Sequence, residues 1–256
     1  MYVIKDNTFN ISVRNLVEFM CLGGDIDNRD TGVADVKVMQ EGARLHRKIQ
    51  HSMGSNYRAE VLLRNKEELT SEGGIEYELR IEGRADGIIA DIEEDEDGNK
   101  LPIGEVTIDE IKTMQSDVGK LKEPVYVHKA QAMVYAYIYL TRYNLESINV
   151  QLTYCNTETE KIVRFKEQYD SESIIKWYRE LVAGFKKWMD YVFDERAERN
   201  ASIQKLHFPF EYREGAEEAG CECIPHGKRT EGVIYTGTDR SRKDYINSIS
   251  SRAVVQ

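Results

Sequence analysis

The stretch that decides the fold runs from residue 83 to residue 113 and reads GRADGIIADIEEDEDGNKLPIGEVTIDEIKT. Apolar and polar residues alternate on both sides of a central acidic run, a pattern typical of two β-strands. The acidic run contains Asp97-Gly98, a pair that favours a tight hairpin turn. We therefore predict strands at residues 84–94 and 103–114, joined as an antiparallel hairpin.

Three charged residues stand inside these strands, namely Asp86, Glu110 and Lys112. Side chains two positions apart in a strand point to the same face, so Glu110 and Lys112 share a surface. Ile111 and Thr113 occupy the opposite face, which indicates a central strand covered on both sides. Buried charges are costly unless they are paired or hold a metal, and carboxylate oxygens suit Mg²⁺ or Mn²⁺. If Asp86 lies on the neighbouring strand, its carboxylate can meet that of Glu110.

Periodicity divides the rest of the chain into helices and further strands. Helical spacing of apolar residues predicts helices at residues 12–22, 34–53, 127–143 and 171–198. Alternation predicts strands at residues 57–64, 74–83, 147–156 and 161–169. This order of elements indicates an α/β fold with a central mixed sheet flanked by helices.

Composition favours an ordinary soluble globular protein. The 256 residues are 41% hydrophobic and 31% charged, with a formal net charge of −10. That charge argues against DNA binding through overall charge, but it leaves a local basic groove open. The longest apolar run, at about residues 130–140, is shorter than the ~20 residues of a membrane span, and residues 1–10 lack a signal-peptide core. The cysteines show no paired spacing, so we expect a cytoplasmic protein with reduced thiols.

The charged residues of the two strands resemble the signature of the PD-(D/E)XK nuclease superfamily. Asp86 matches the aspartate of that signature, and Glu110-Ile111-Lys112 matches its (D/E)XK. The interval between Asp86 and Glu110 is longer than the commonest spacing in the family, and no proline precedes Asp86. The acidic hairpin accounts for the extra length.

Two helical motifs make the chain similar to the RecB-like branch of this superfamily. Gln131 and Tyr135, in QAMVY, match the downstream QxxxY of the branch. His46, in EGARLH, matches the upstream helical histidine that supplies a further metal ligand. One of these motifs alone would be weak, whereas four elements in the family's order over about residues 10–170 form a strong pattern.

The resemblance implies a restriction-endonuclease-like core and metal-dependent, exonuclease-like hydrolysis of DNA phosphodiesters in repair or recombination. Single strands or duplex ends are the implied substrate, and Mg²⁺ or Mn²⁺ the implied cofactor. The implied metal ligands are His46, Asp86, Glu110 and Ile111. The implied catalytic residues are Asp86, Glu110, Lys112, Gln131 and Tyr135. Phosphate contacts are expected from Lys120, Lys122, His128 and Lys129.

Each residue also has a plainer interpretation. His46 could be a solvent-facing or capped helix histidine, and Asp86 could be the acid of a turn paired with Arg84. Glu110 and Lys112 could form a solvated strand face, and Gln131 and Tyr135 could form the polar edge of a core helix. For the whole protein, the alternatives are a catalytically inactive DNA-binding module of the same fold and a metal site for another phosphate substrate. The intact set of Asp, Glu, Lys and His favours the nuclease.

The end of the chain departs from the pattern of the rest. FPFEYREG, at residues 208–215, resembles the join between nuclease and helicase in DinG/XPD-like helicase fusions, and beyond it the periodicity is lost. Residues 216–256 can be back-translated with synonymous codons into DNA. When its reading frame is shifted by one nucleotide, this DNA can encode a sequence that contains the phosphate-binding GxGKT. We therefore interpret residues 1–207 as the nuclease domain and 208–256 as a linker and a poorly ordered, out-of-frame tail. The implied partner is a helicase motor, joined in cis in the unbroken gene.

Overall fold

The computed structural model describes residues 2–5, 7–21 and 36–204, without the side chains of Val36, Val38 and Gln204. The chain divides into two units, Met1–Glu198 and Arg199–Gln256, and the second is described only at residues 199–204. The interpretation of residues 208–256 as an out-of-frame tail therefore falls outside the described residues and stays a prediction.

Seven strands and four α-helices make up the described part of the chain. The strands are β1 (Val3–Lys5), β2 (Thr8–Ser12), β3 (Tyr57–Thr70), β4 (Glu76–Glu94), β5 (Lys100–Met114), β6 (Ser147–Asn156) and β7 (Ile162–Asp170). The helices are α1 (Val13–Cys21), α2 (Val36–Ser52), α3 (Tyr126–Tyr143) and α4 (Ser171–Gln204), with a 3₁₀ turn at Val118–Lys120.

The strands form one mixed sheet. Its order is β1-β2-β4-β5-β6-β7, and β3 pairs with β4 outside this path. The β2–β4 and β5–β6 pairs are parallel, whereas β1–β2, β3–β4, β4–β5 and β6–β7 are antiparallel. The predicted α/β class, with a central mixed sheet flanked by helices, is confirmed.

Two features of the sheet differ from the predicted elements. Residues 74–83 and 84–94 were expected to be two strands, but β4 is one strand of 19 residues. Gly83 does not turn the chain, because it stays in register opposite Leu63 on β3. The short strands β1 and β2 were not predicted, since β2 is fixed by its parallel pairing with β4 rather than by its own length.

The core lies mainly on one side of the sheet, where the buried residues of α1, α3 and α4 pack against the strands. Helix α2 covers the other side, and its Leu45 and Ile49 form a small cluster with Ile111 of β5 and Cys155 of β6. Strand β5 is consequently buried on both faces around Ile111, where the charged residues of interest lie.

Two further expectations concern the described residues. None of the helices described is both long and apolar enough to cross a membrane. Cys21 and Cys155 are free thiols, and burial raises the pKa of each. Cys221 and Cys223 fall outside the described residues.

Candidate active site

Asp86 lies within β4 but has no pairing partner on either neighbouring strand. The β4–β5 ladder begins at the pair Gly87–Asp109, and the β3–β4 ladder passes over Asp86 between Ala85 and Gly87. The buried positions of the strand are odd-numbered through Gly87 and even-numbered from Ile88, so the alternation breaks directly after this unpaired position. Since a strand normally alternates without interruption, this irregularity frees the polar groups of Asp86 for other partners.

The carboxylate of Asp86 connects β5 with α2. Its Oδ2 accepts a hydrogen bond of 2.7 Å from the main-chain N–H of Ile111. Its Oδ1 lies 3.7 Å from Nδ1 of His46, and the two side chains are 16% and 27% exposed. The side chain of Ile111 is apolar and fully buried, so only its main chain could serve a metal. The structure thus brings His46, Asp86 and the Ile111 main chain together.

Glu110 is a buried carboxylate of which one oxygen is paired with a cation and the other is not. Its Oε1 lies 2.8 Å from Nζ of Lys112, while its buried Oε2 has no hydrogen-bond partner in the described part of the chain. Burial, and next the charge of Asp86, raise the pKa of Glu110 to about 8, although Lys112 partly offsets this. An unpaired oxygen in a buried site is costly, and a cation is the partner that would relieve it.

Helix α3 supplies the polar surroundings of Lys112. Nζ of Lys112 donates to Oε1 of Gln131 over 3.1 Å. Tyr135, one turn further along α3, is buried, and burial and then the charge of Glu110 raise its pKa. Gly83 makes room for this tyrosine, since a Cβ at that position would lie 2.6 Å from Tyr135 Oη.

The four residues expected to contact phosphate differ in their surroundings. Lys120 and Lys122 are exposed. His128 is half-buried with Nδ1 3.1 Å from Oη of Tyr154, and burial, and next the charge of Lys112, lower its pKa to about 4. Lys129 lies 2.6 Å from Oε2 of Glu167. Lys120 and Lys122 are therefore the two with side chains open to a ligand.

The sequence pattern did not single out Asp109, a buried acid that directly precedes Glu110 in β5. Asp109 is fully buried and accepts hydrogen bonds from Thr153 Oγ1 at 2.6 Å, Gln151 Nε2 at 3.0 Å and Tyr57 Oη at 3.2 Å. The ring of Tyr57 lies where a Cβ on Gly87 would be. The available signal was the polar pair Gln151 and Thr153 in β6, which is otherwise rich in apolar residues.

Gln50 was missed as well. Its Nε2 donates to the carbonyl oxygen of Asp86 over 2.9 Å and lies 3.2 Å from Oε1 of Glu60. The sequence held one signal, because Gln50 follows His46 by one helical turn and therefore shares its face of α2.

The residues present fit a hard divalent cation. Asp86 and Glu110 offer carboxylate oxygens, and the unpartnered Oε2 of Glu110 is the atom that most needs a positive partner. Among the described residues, no three His, Cys, Asp or Glu side chains are gathered as a metal-binding group. Mg²⁺ does not require one, because it is commonly held by one or two carboxylates and completes its shell with water and phosphate oxygens.

Comparison with known proteins gives little further information. No protein-family model matches the chain, and no curated protein matches it. Among solved structures, the crystal structure of SSO0001 is similar over 71% of this chain and 78% of its own, with 20% sequence identity and a TM-score of 0.39. A similarity at that level carries no argument about function.

Proposed function

We propose that the chain is a metal-dependent DNA nuclease of the PD-(D/E)XK superfamily, from its RecB-like branch, with a restriction-endonuclease-like core. The observation that carries the proposal is the buried Oε2 of Glu110, which has no partner among the described residues and lies in a site shared with Asp86 and Lys112. With both acids ionised, two carboxylates and one ammonium would leave an excess of negative charge in a site of low dielectric, and the pKa of Glu110 is raised accordingly. A divalent cation would balance that charge.

In the proposed hydrolysis of a phosphodiester, the acidic side chains of the site bind the cation. When bound, Mg²⁺ or Mn²⁺ would polarise the phosphate and lower the pKa of a water molecule. Asp86 and Glu110 would hold the cation, with His46 beside Asp86 and the Ile111 N–H fixing the orientation of the Asp86 carboxylate. In this proposal, residues of α2, β4 and β5 bind the cation together.

Lys112 and α3 act on the substrate side of the site. The Lys112 ammonium is held between Glu110 and Gln131, and the Lys112 side chain as a whole is 24% exposed. A flexible point charge of this kind orients an attacking water or offsets charge that grows on the phosphate oxygens. Gln131 accepts a hydrogen bond from the ammonium, and Tyr135, one helical turn further along α3, is hydrogen-bonded to Gln131.

The test is a cleavage assay with the full chain. Linear and circular DNA are incubated with Mg²⁺ or Mn²⁺, and cleavage that stops when EDTA is added is expected. Asp86→Ala and Lys112→Ala should each lower the rate by at least about 100-fold, because each removes a group that acts on the transition state. Glu105→Ala is the matched control, since this carboxylate of β5 is 77% exposed.

Two outcomes would contradict the proposal. Retained DNA binding without cleavage would favour the alternative, a catalytically inactive DNA-binding module. Cleavage unaffected by Asp86→Ala or Lys112→Ala would place the reaction elsewhere in the chain. Comparison of linear with circular DNA separates action at ends from internal cleavage.

A further inference from the structure

Gln50 and His46 contact the same residue from one face of α2. Nδ1 of His46 lies 3.7 Å from the Asp86 carboxylate, and Nε2 of Gln50 donates to the Asp86 carbonyl oxygen over 2.9 Å. The two residues are one helical turn apart, so their side chains lie above one another. A single helix thus contacts both the side chain and the main chain of Asp86.

The Gln50 amide contacts the Asp86 carbonyl at a position that has no partner in the registers of the neighbouring strands. Neither the β3–β4 nor the β4–β5 register pairs Asp86 with a neighbour. Tyr57 Oη lies 3.5 Å from the same carbonyl oxygen, but it is closer to Oδ2 of Asp109, at 3.2 Å. A phenol has one proton to donate, so Gln50 is the principal side-chain donor to the Asp86 carbonyl oxygen.

Gln50 also contacts the neighbouring irregularity in β3. Glu60 has φ of 55°, in the left-handed region that residues with a Cβ rarely adopt. Its Oε1 lies 3.2 Å from Nε2 of Gln50. One amide therefore connects α2 with both strands at the point where their pairing is interrupted.

Helix α2 has other anchors that do not involve Gln50. Leu45 and Ile49 are buried against β5 and β6. Arg44 and Lys48 form ion pairs with Glu160 beyond β6. These contacts also hold the helix on the sheet, so α2 has attachments besides the amide of Gln50. What it adds is a fixed position of the helix relative to Asp86.

We propose that Gln50 is a positioning residue, which holds α2 against the Asp86 main chain and so sets the separation of His46 from the Asp86 carboxylate for a divalent cation. This inference rests on the proposed function. Gln50 acts through His46 and Asp86, and in this role it touches neither the substrate nor the cation. Partners that orient metal ligands in this way commonly change metal affinity by about 10- to 100-fold when they are removed.

The experiment measures Mn²⁺ binding to the full chain without DNA, by calorimetry, together with the urea midpoint of unfolding. Gln50→Met keeps the length of the side chain and removes both donors. Its dissociation constant for Mn²⁺ should rise by at least about 10-fold. Gln50→Asn retains an amide that is too short to reach Asp86, and it should show the same loss. Gln40→Met, at an exposed position of α2, is the matched control and should bind as the wild type does.

A double variant separates positioning from a general structural role. If Gln50 acts through His46, the variant with both His46→Ala and Gln50→Met should bind Mn²⁺ no more weakly than His46→Ala alone. In cleavage assays, Gln50→Met should raise the Mn²⁺ concentration needed for half-maximal rate more than the KM for DNA.

The outcomes distinguish this inference from the proposed function. Wild-type Mn²⁺ binding and cleavage, with unchanged affinity in Gln50→Met and Gln50→Asn, would overturn the role of Gln50 alone. Fully additive losses in the double variant would also overturn it, because they indicate a structural effect independent of His46. A wild-type chain that neither binds Mn²⁺ nor cleaves DNA would overturn both.

Discussion

Glu110 and Lys112 share one face of β5, yet their surroundings differ. The Glu110 side chain is 2% exposed and that of Lys112 is 24% exposed. The carboxylate is therefore fixed in a site of low dielectric, whereas the ammonium at the end of a flexible chain can move toward solvent. A pair that is rigid at its acid end and mobile at its basic end suits a site that holds a cation and meets a substrate.

The pKa of Glu110 makes a prediction about stability in the metal-free protein. It is raised to about 8 in the folded state, above its unfolded value, so the folded chain binds more protons between these pKa values. The stability that Glu110 contributes is present at low pH and is lost as pH rises through about 8. Glu110→Gln, which cannot ionise, should become more stable relative to the wild type by about 1–3 kcal/mol between pH 5 and pH 8. Urea unfolding in EDTA at both pH values measures the gap, and a constant gap would contradict the prediction.

His128 makes a second prediction, with stability lost on the acid side. Burial, and next Lys112, lower its pKa to about 4, so the unfolded chain binds more protons between about 4 and its ordinary value. Stability should therefore fall as pH drops from about 6.5 toward about 4. Between pH 7 and pH 5, the free energy of unfolding of His128→Asn should fall by about 1–2 kcal/mol less than that of the wild type. Parallel unfolding curves for the two proteins over this range would count against it.

Pairs of elements position the site through close contacts. Strand β4 approaches α3 at Gly83, where the Tyr135 hydroxyl occupies the space of a Cβ, and it approaches Tyr57 at Gly87 in the same way. Each glycine thus allows one tyrosine to approach a strand that carries Asp86. Neither glycine can be replaced by a residue with a side chain without disturbing its tyrosine, because each close contact depends on the missing Cβ.

Replacing Gly83 tests the contact between β4 and α3. Gly83→Ala should lower the free energy of unfolding by about 1–3 kcal/mol, since the new Cβ would overlap Tyr135 Oη. Tyr135→Phe removes that oxygen, so the double variant should regain part of the loss. Chemical unfolding of the four proteins gives the coupling energy, and the absence of any recovery would show that the methyl group meets another obstacle, such as Val13.

The end of α3 depends on Asn144. This residue has φ of 51° in the left-handed region, and its N–H bonds to the carbonyl of Leu140. Asn tolerates this conformation better than residues with an aliphatic Cβ, so Asn144→Ala should destabilise the protein by about 1 kcal/mol. Asn144→Gly, which keeps the conformation without strain, is the control and should be as stable as the wild type or more so.

At the scale of the whole unit, the candidate site joins residues from four elements. His46 comes from α2, Asp86 from β4, and Glu110 and Lys112 from β5, while α3 adds Gln131. A cation at this place would add a link between α2 and the sheet, beside the Leu45 and Ile49 cluster, the exposed ion pairs and the hydrogen bonds of Gln50. Cation binding should therefore raise the stability of the whole fold.

Mn²⁺ should stabilise the protein against heat. A ligand that binds only the folded state adds about 2.7 kcal/mol at 100 times its Kd, so Tm should rise with Mn²⁺ concentration. Asp86→Ala should abolish this rise, whereas Glu105→Ala should retain it. An equal rise in all three proteins would indicate that Mn²⁺ binds elsewhere.

The sequence by itself determined the alternation of the strands, the helical periods and the order of the charged residues. These features follow from local spacing, so they predicted the α/β class and the shared face of Glu110 and Lys112. The single long β4 could not be read in this way, because nothing local distinguishes a continuous strand from two strands in sequence.

Only the tertiary structure decided the environment of these charges. The missing partner of Glu110 Oε2, the insertion of the Asp86 carboxylate between α2 and β5, and the contacts of Gln50, Tyr57 and Asp109 all join residues far apart in the chain. Burial and dielectric at a charged group are set by every element packed around it. A pattern along one strand carries information about that strand's two faces, but not about which partners will meet them.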